Sequence, residues 1–180
     1  MTKRFDRKDG KKIHMLSLCG MAHYDFNMPG AYGYEQVFGI MRSLKDLGMS
    51  DIEQQYRRII FNIIARNQDD HTKNISFLMA QDGRWKLSPA YDVTYSYNPD
   101  GLWANQHQMS LNGKRGHFTA HDLIQLGAVA GITDSQKIIH EVLGAVERWL
   151  EFAREAGVQK GQINVIASTH RGENINNFLE

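Results

Sequence analysis

Between Tyr56 and Asp92 the sequence passes, with no linker, from an apolar helix face into a dense polar loop and then into a hairpin. Tyr56, Ile59, Ile60, Ile63 and Ile64 recur at helical spacing and form a broad apolar face. The helix that carries them must be buried on most sides. It runs directly into Arg66-Asn67-Gln68-Asp69-Asp70-His71-Thr72-Lys73-Asn74. Polar residues at that density, flanked by core-forming segments, mark an active-site loop rather than a solvated surface. Ile75–Met79 then has strand character, Asp82-Gly83 is a hairpin turn signal, and Trp85-Lys86-Leu87 returns before Pro89. A hairpin reverses the chain, so Asp92 is expected back near Asp69 and Asn74.

The flanking sequence reads mostly as helix. Tyr34, Val37, Phe38, Met41 and Leu44 predict one helix, ended by Gly48. Ser50-Asp51-Ile52-Glu53 reads as a capping box with Ser50 as N-cap, opening the next. Residues 93–118 read as loop, and Lys114-Arg115, His117 and His121 as solvated surface. Thr119 to Asp122 can cap a helix carrying Leu123, Ile124 and Leu126. Thr133-Asp134-Ser135-Gln136 reads as a capping box for one long helix with Ile138, Ile139, Val142, Leu143, Val146, Trp149, Leu150 and Ala153 inward, closed by Gly157. A last helix is expected from Ile163 to His170, with a further turn near Phe178. The fold class predicted is mostly α with a small β-hairpin.

The opening is irregular. Lys3 to Lys12 is highly charged around an Asp9-Gly10 turn, Ile13–Cys19 reads as a short strand or a helix start, and His23–Tyr34 as loop. Cys19 is the only cysteine. It reads as a buried thiol, and the absence of a disulfide fits a reducing cytosol, so a cytoplasmic location is expected. No apolar run reaches the roughly 18–20 residues needed to span a bilayer, so no membrane partner is expected. A formal charge of +1 predicts no bulk attraction to nucleic acid. At 42% hydrophobic, 180 residues are enough for one domain with its own core.

Phosphoryl transfer needs a carboxylate at the acceptor hydroxyl, hard oxygen ligands for magnesium, and a cation near the moving phosphoryl group. Asp69 and Asn74 stand five apart, and Asp92 follows after a hairpin. That is the order of catalytic loop and metal-binding Asp in protein kinases. The neighbours differ from ordinary eukaryotic kinases: Asn67-Gln68 precede Asp69, and Val93 follows Asp92. A polar helix cap at Asp69-Asp70-His71, and a plain turn at Asp92, are the bland readings. Asp70 by itself reads as structural, bonding backbone amides.

Asn67-Gln68-Asp69-Asp70-His71-Thr72-Lys73-Asn74-Ile75-Ser76-Phe77, followed by Leu87-Ser88-Pro89-Ala90-Tyr91-Asp92, closely resembles the HipA family of bacterial toxin kinases. Arg4-Phe5-Asp6-Arg7 resembles that family's hinge segment. The resemblance implies a protein-kinase-like C-lobe over residues 1–180, with residues 1–33 as hinge and irregular opening segment. It implies a serine/threonine kinase that transfers the ATP γ-phosphate to a protein substrate with Mg2+. Asp69 would be the catalytic base, with His71 and Lys73 at the phosphates or shaping the loop. Asn74 and Asp92 would hold the metal. Phe5, Asp6, His71 and Tyr91 would meet or flank the nucleotide. A DNA-binding antitoxin of the HipB type is an implied partner.

No Gly-rich phosphate loop precedes these motifs, so the N-terminal kinase lobe is expected to be absent from this chain. It would be supplied by the same gene or by a separate polypeptide, and the isolated chain is expected to be inactive or nearly so. Phe5 or Met15 is then expected to expose an apolar face prone to self-association. The rival readings are a non-catalytic pseudokinase or binding module of a toxin–antitoxin system, and a metal-dependent hydrolase.

Overall fold

The structure is a computed structural model and describes residues 4–172 and 175. Two short strands, β1 (Arg7–Lys8) and β2 (Lys11–Lys12), open the chain as a small hairpin. Asp9 and Gly10 are both left-handed at its turn, the requirement that Asp-Gly meets at least cost. The strand β3 (His14–Ser17) follows and passes directly into helix α1 (Leu18–Ala22), capped by the Ser17 hydroxyl. The segment read as strand or helix start is thus one and then the other.

Helix α2 (Tyr34–Ser43) and helix α3 (Met49–Ile64) come next. Gly48 does not end the first of them; Leu44 does, and Gly48 is the N-cap of the second. Ser50 therefore lies inside α3, and Asp51, not Glu53, closes its first turn. One Asp51 oxygen accepts the Gly48 N–H at 3.3 Å, and the other accepts the Leu87 N–H at 3.0 Å. The carboxylate serves a helix end and a strand at once, which helix-cap spacing alone does not reveal.

The hairpin is β4 (Ser76–Met79) and β5 (Trp85–Leu87), as Asp82-Gly83 predicts. β3 adds to it, so the sheet is three-stranded and antiparallel in the order β3-β4-β5, with Met15 opposite Leu78 and Leu16 opposite Phe77. The pairing of β3 with this hairpin is not legible in the sequence, because the partner strand is some sixty residues away and the four residues of β3 show no clean alternation.

Residues 93–118 hold no helix or strand longer than an isolated bridge. Helices α4 (Ala120–Ala130), α5 (Ser135–Glu147), α6 (Trp149–Glu155) and α7 (Lys160–Thr169) complete the described chain. The single long helix expected here is broken at Arg148, whose ψ of 8° leaves the helical region. Its N-cap is Asp134 rather than Thr133. The break turns the far end outward: Trp149 is half-buried with its Nε1–H on the Ile163 carbonyl, and Leu150 is exposed. The turn expected near Phe178 lies outside the described residues.

The core packs α3 against α4, α5 and the sheet. Tyr56, Ile59, Ile60, Ile63 and Ile64 are fully buried, together with Val37, Phe38, Phe77, Leu123, Leu126 and Ile139. The closest crossing is at Gly127 on α4. A Cβ there would lie 2.4 Å from Ser135 Cβ and 3.1 Å from the Tyr56 hydroxyl. Gly127→Ala is expected to lower stability by about 1–3 kcal/mol through overpacking, read as a lower urea midpoint. An unchanged midpoint would show that α5 can slide.

Thr119 and Asp122 form the predicted capping box of α4, and Lys114 is drawn into it. The buried Asp122 carboxylate takes both oxygens to Lys114 Nζ at 2.9 Å and accepts from Asn112 and Thr119. Burial opposes its charge, but those bonds outweigh burial and hold its pKa at about 2, below the usual 3.8. The stabilisation is therefore full above about pH 4 and is lost as pH falls through about 2. Asp122→Asn should cost about 1–2 kcal/mol at neutral pH and flatten the acid limb of the stability curve over that window. An acid limb identical to the parent's would count against it. Lys114 is thus not a free surface charge. Arg115 is not either, since its Nε donates to the His107 carbonyl at 2.6 Å, whereas His117 and His121 are exposed.

Two further expectations change. Cys19 is half-buried, its thiol on the Tyr24 carbonyl at 3.1 Å. Phe5 and Met15 do not present an exposed apolar face. Phe5 packs on Tyr91 at 5.7 Å between ring centroids, and Met15 lies in the sheet. Among the described residues the most exposed large apolar side chains are Leu102 and Trp103, in the long loop.

Candidate active site

The polar loop leaves α3 through a left-handed residue, Arg66 (φ 61°), which turns the chain off the helix axis. Asn67 folds back on α3, its N–H on the Asn62 carbonyl at 2.9 Å and its side-chain amide on Asn62 Oδ1 at 3.0 Å. Gln68 ties the loop to the long segment beyond the hairpin, through the Ser96 and Ala104 carbonyls. Thr72–Asn74 close a single 3-10 turn, Ile75 ends it, and Ser76 enters the sheet.

Adjacent aspartates receive opposite environments. Asp69 projects outward with its side chain 55% exposed, and His71 Nε2 lies 3.8 Å from its carboxylate, beyond hydrogen-bonding reach. Asp70 points inward and is fully buried. It accepts from the Tyr34 hydroxyl, from the Gln108 N–H at 2.7 Å, and bonds His107 Nδ1 at 2.7 Å. The structural reading of Asp70 fits this placement. The amide it holds belongs to a distant segment rather than to its own loop.

Asn74 braces the loop from the other side. Its side-chain amide donates to the Asp69 carbonyl at 2.8 Å, leaving its oxygen free of that bond. Tyr91 pins the same turn: its hydroxyl donates to the Lys73 carbonyl and, with that proton committed, accepts from Ser76 Oγ. Burial pushes the Tyr91 hydroxyl pKa up, consistent with a donor role. Arg58 on α3 holds the returning strand through the Ser88 carbonyl at 2.7 Å. Asp92 follows in a left-handed conformation (φ 54°), uncommon outside glycine though tolerated by Asp and Asn.

The hairpin therefore brings Asp92 back to the loop. Asn74 and Asp92 line one narrow crevice with Gln55, Arg58 and Asn67. Asp69 does not line it, but its backbone carbonyl is tied to Asn74, which does. Gln55 Oε1, Asn67 Oδ1 and Arg58 Nε are buried and have no protein partner. Amide and carboxylate oxygens such as those of Asn74 and Asp92 are the ligand types magnesium prefers, and a water can satisfy an orphaned atom there.

Lys73 does not point into that crevice. Its ammonium lies 3.2 Å from the centre of the Phe26 ring, and His71 meets the edge of the same ring at 5.8 Å. Phe26, in the loop before α2, was absent from the sequence reading. So were Arg58, Gln55, His107 and Arg171. An aromatic or a lone basic residue inside an unpatterned segment carries no spacing signal. Phe5 stands beside Tyr91 and so flanks the site. Asp6 is committed elsewhere: its carboxylate pairs with Arg4 and Arg7, and Arg4 above all holds its pKa at about 2. Its carbonyl accepts the Ile13 N–H.

The family model of the HipA-like C-terminal domain matches residues 1–167. A Haemophilus influenzae protein described as "Putative kinase" is 24% identical over 198 residues, taking in 93% of this chain and 57% of that protein. Among solved structures, a chain of the Shewanella oneidensis MR-1 toxin–antitoxin complex of HipA, HipB and operator DNA aligns with a TM-score of 0.73 and 16% identity, over 98% of this chain and 48% of that one. The chain thus spans about half the length of the proteins it matches. No described helix is long and apolar enough to cross a membrane. With the family model covering nearly all of the sequence, the chain belongs to the family of HipA-like C-terminal domains.

Proposed function

We propose that the chain is the catalytic C-lobe of a HipA-like serine/threonine protein kinase, passing the ATP γ-phosphate to a protein hydroxyl. The observation that carries this reading is the convergence of Asn74 and Asp92 on one crevice, with Asn74 also bonded to the Asp69 backbone. Two candidate metal ligands and a candidate base are thereby held in one unit by three different elements.

Asp69 is the hydroxyl-orienting residue and accepts the substrate proton. Its exposure suits that work, since a protein side chain must reach it from solvent. Asn74 and Asp92 would hold Mg2+, which when bound neutralises charge on the phosphoryl group. Lys73 and His71 shape the loop against Phe26, and displacement of that ring would release the Lys73 cation toward phosphate. Tyr91 and Phe5 form an aromatic edge for the nucleotide. For Asp6 the bonds to Arg4, Arg7 and Ile13 favour a scaffold role over ligand contact.

Catalysis of this kind is positioning plus charge stabilisation, and a C-lobe offers part of each. The nucleotide-covering lobe belongs to this proposal as a further portion of the polypeptide or a separate one. A HipB-type antitoxin is the proposed protein partner, in keeping with the complex that the similar structure represents. The deciding experiment measures phosphate transfer from labelled ATP with Mg2+, for the chain alone and mixed with the polypeptide encoded just upstream. Transfer that needs the mixture and vanishes in Asp69→Ala supports the reading. Silence in both, with both partners folded, would favour a non-catalytic binding module.

A further inference from the structure

His107 takes no part in the chemistry above, yet its ring is fully buried and bonded at both nitrogens. Nδ1 lies 2.7 Å from Asp70 Oδ2, and Nε2 lies 3.0 Å from the Arg171 guanidinium. A guanidinium can only donate. Nε2 must therefore be bare and accepting, which leaves the proton on Nδ1, where it donates to Asp70. The ring is a neutral spacer joining a buried carboxylate to a buried cation.

Arg171 is itself fixed several times over. Its backbone N–H donates to the Ile64 carbonyl at 3.0 Å, and its guanidinium reaches the Ile63 carbonyl and Gln68 Oε1. Phe118 lies beneath the guanidinium and against the edge of the His107 ring. Gln68 and Asp70 are the two sequence neighbours of Asp69. Both residues that flank the candidate base are thus held by the same buried row of bonds, while Asp69 itself makes none of them.

Resting on the kinase reading, we propose that His107 is a positioning residue. As its Nδ1–H tautomer it couples the Arg171 anchor to Asp70 and so fixes the backbone that presents Asp69. The position lies in the long loop, nearly forty residues beyond the base it serves.

The test compares the full chain with His107→Leu, which fills the ring's space without either bond, and His107→Asn, whose side-chain amide can replace the Nδ1–H. Imidazole nitrogen–proton correlation spectra of the parent at neutral pH should show Nδ1 protonated and Nε2 bare. Backbone amides of residues 69–74 should exchange about tenfold faster in His107→Leu and return to within about threefold of the parent in His107→Asn. Amides in the middle of α3 should be unchanged. An Nε2–H tautomer overturns the proposal, as does equal loop exchange in all three proteins or an Asn variant as fast as the Leu one. Should His107→Leu fail to fold, the tautomer and the Asn variant decide. In the reconstituted kinase mixture, kcat should fall about tenfold in His107→Leu and recover in His107→Asn, with the nucleotide KM within about twofold. A parent mixture without transfer counts against the kinase reading alone, because tautomer and exchange are read without it.

Discussion

Asp69→Ala is expected to reduce phosphate transfer by about 10³-fold or more while leaving the urea midpoint within about 0.5 kcal/mol of the parent. The first half follows from the role proposed for it, as the carboxylate that accepts the substrate proton. The second follows from the surroundings. The side chain is mostly in water, and the His71 ring nitrogen beside it is too far for a hydrogen bond. Removing it deprives the fold of nothing. A variant that kept transfer within tenfold of the parent would remove Asp69 from the chemistry, and one that unfolded would show that its exposure misleads.

One position along, the expectation reverses. Asp70→Ala should cost about 3–5 kcal/mol, seen as a large fall in the urea midpoint, because truncation strands three buried donors at once. The Tyr34 hydroxyl, the His107 Nδ1–H and the Gln108 N–H all lose their acceptor in a region closed to water. Arg171 would then face an imidazole with no anion behind it, and burial already lowers that guanidinium's pKa to about 10. A loss below about 1 kcal/mol would mean that water enters and replaces the carboxylate. Whatever activity Asp70→Ala loses must be corrected for unfolded protein, whereas the Asp69→Ala deficit needs no such correction. The pair separates chemistry from scaffold within a single dipeptide.

The sequence made the two ends of this site readable to different degrees. The α3 face was legible because its isoleucines recur at helical spacing, and all five of the apolar residues named on it are buried. The β4–β5 turn was legible because Asp-Gly satisfies a local backbone demand, and Gly83 does take a positive φ of 82°. The order Asp69, Asn74, Asp92 could be read because the chemistry fixes residue types and approximate spacing. What stayed hidden is held by bonds between residues far apart in the chain. β3 gains its identity only from β4. His107 and Arg171 reach the loop from 37 and 101 positions beyond Asp70. Helix ends were misplaced by one to four residues for a related reason. At α3 the reason is visible in Asp51, which serves the Gly48 N-cap and the Leu87 N–H together.

Arg171 also sets an order of assembly during synthesis. A ribosome emits α3 and the polar loop about a hundred residues before this guanidinium. Until it arrives, the Ile64 carbonyl lacks its Arg171 donor and the His107 imidazole has no cation on Nε2. A nascent chain can therefore bury its isoleucines early yet hold its candidate catalytic loop loosely until translation passes residue 171.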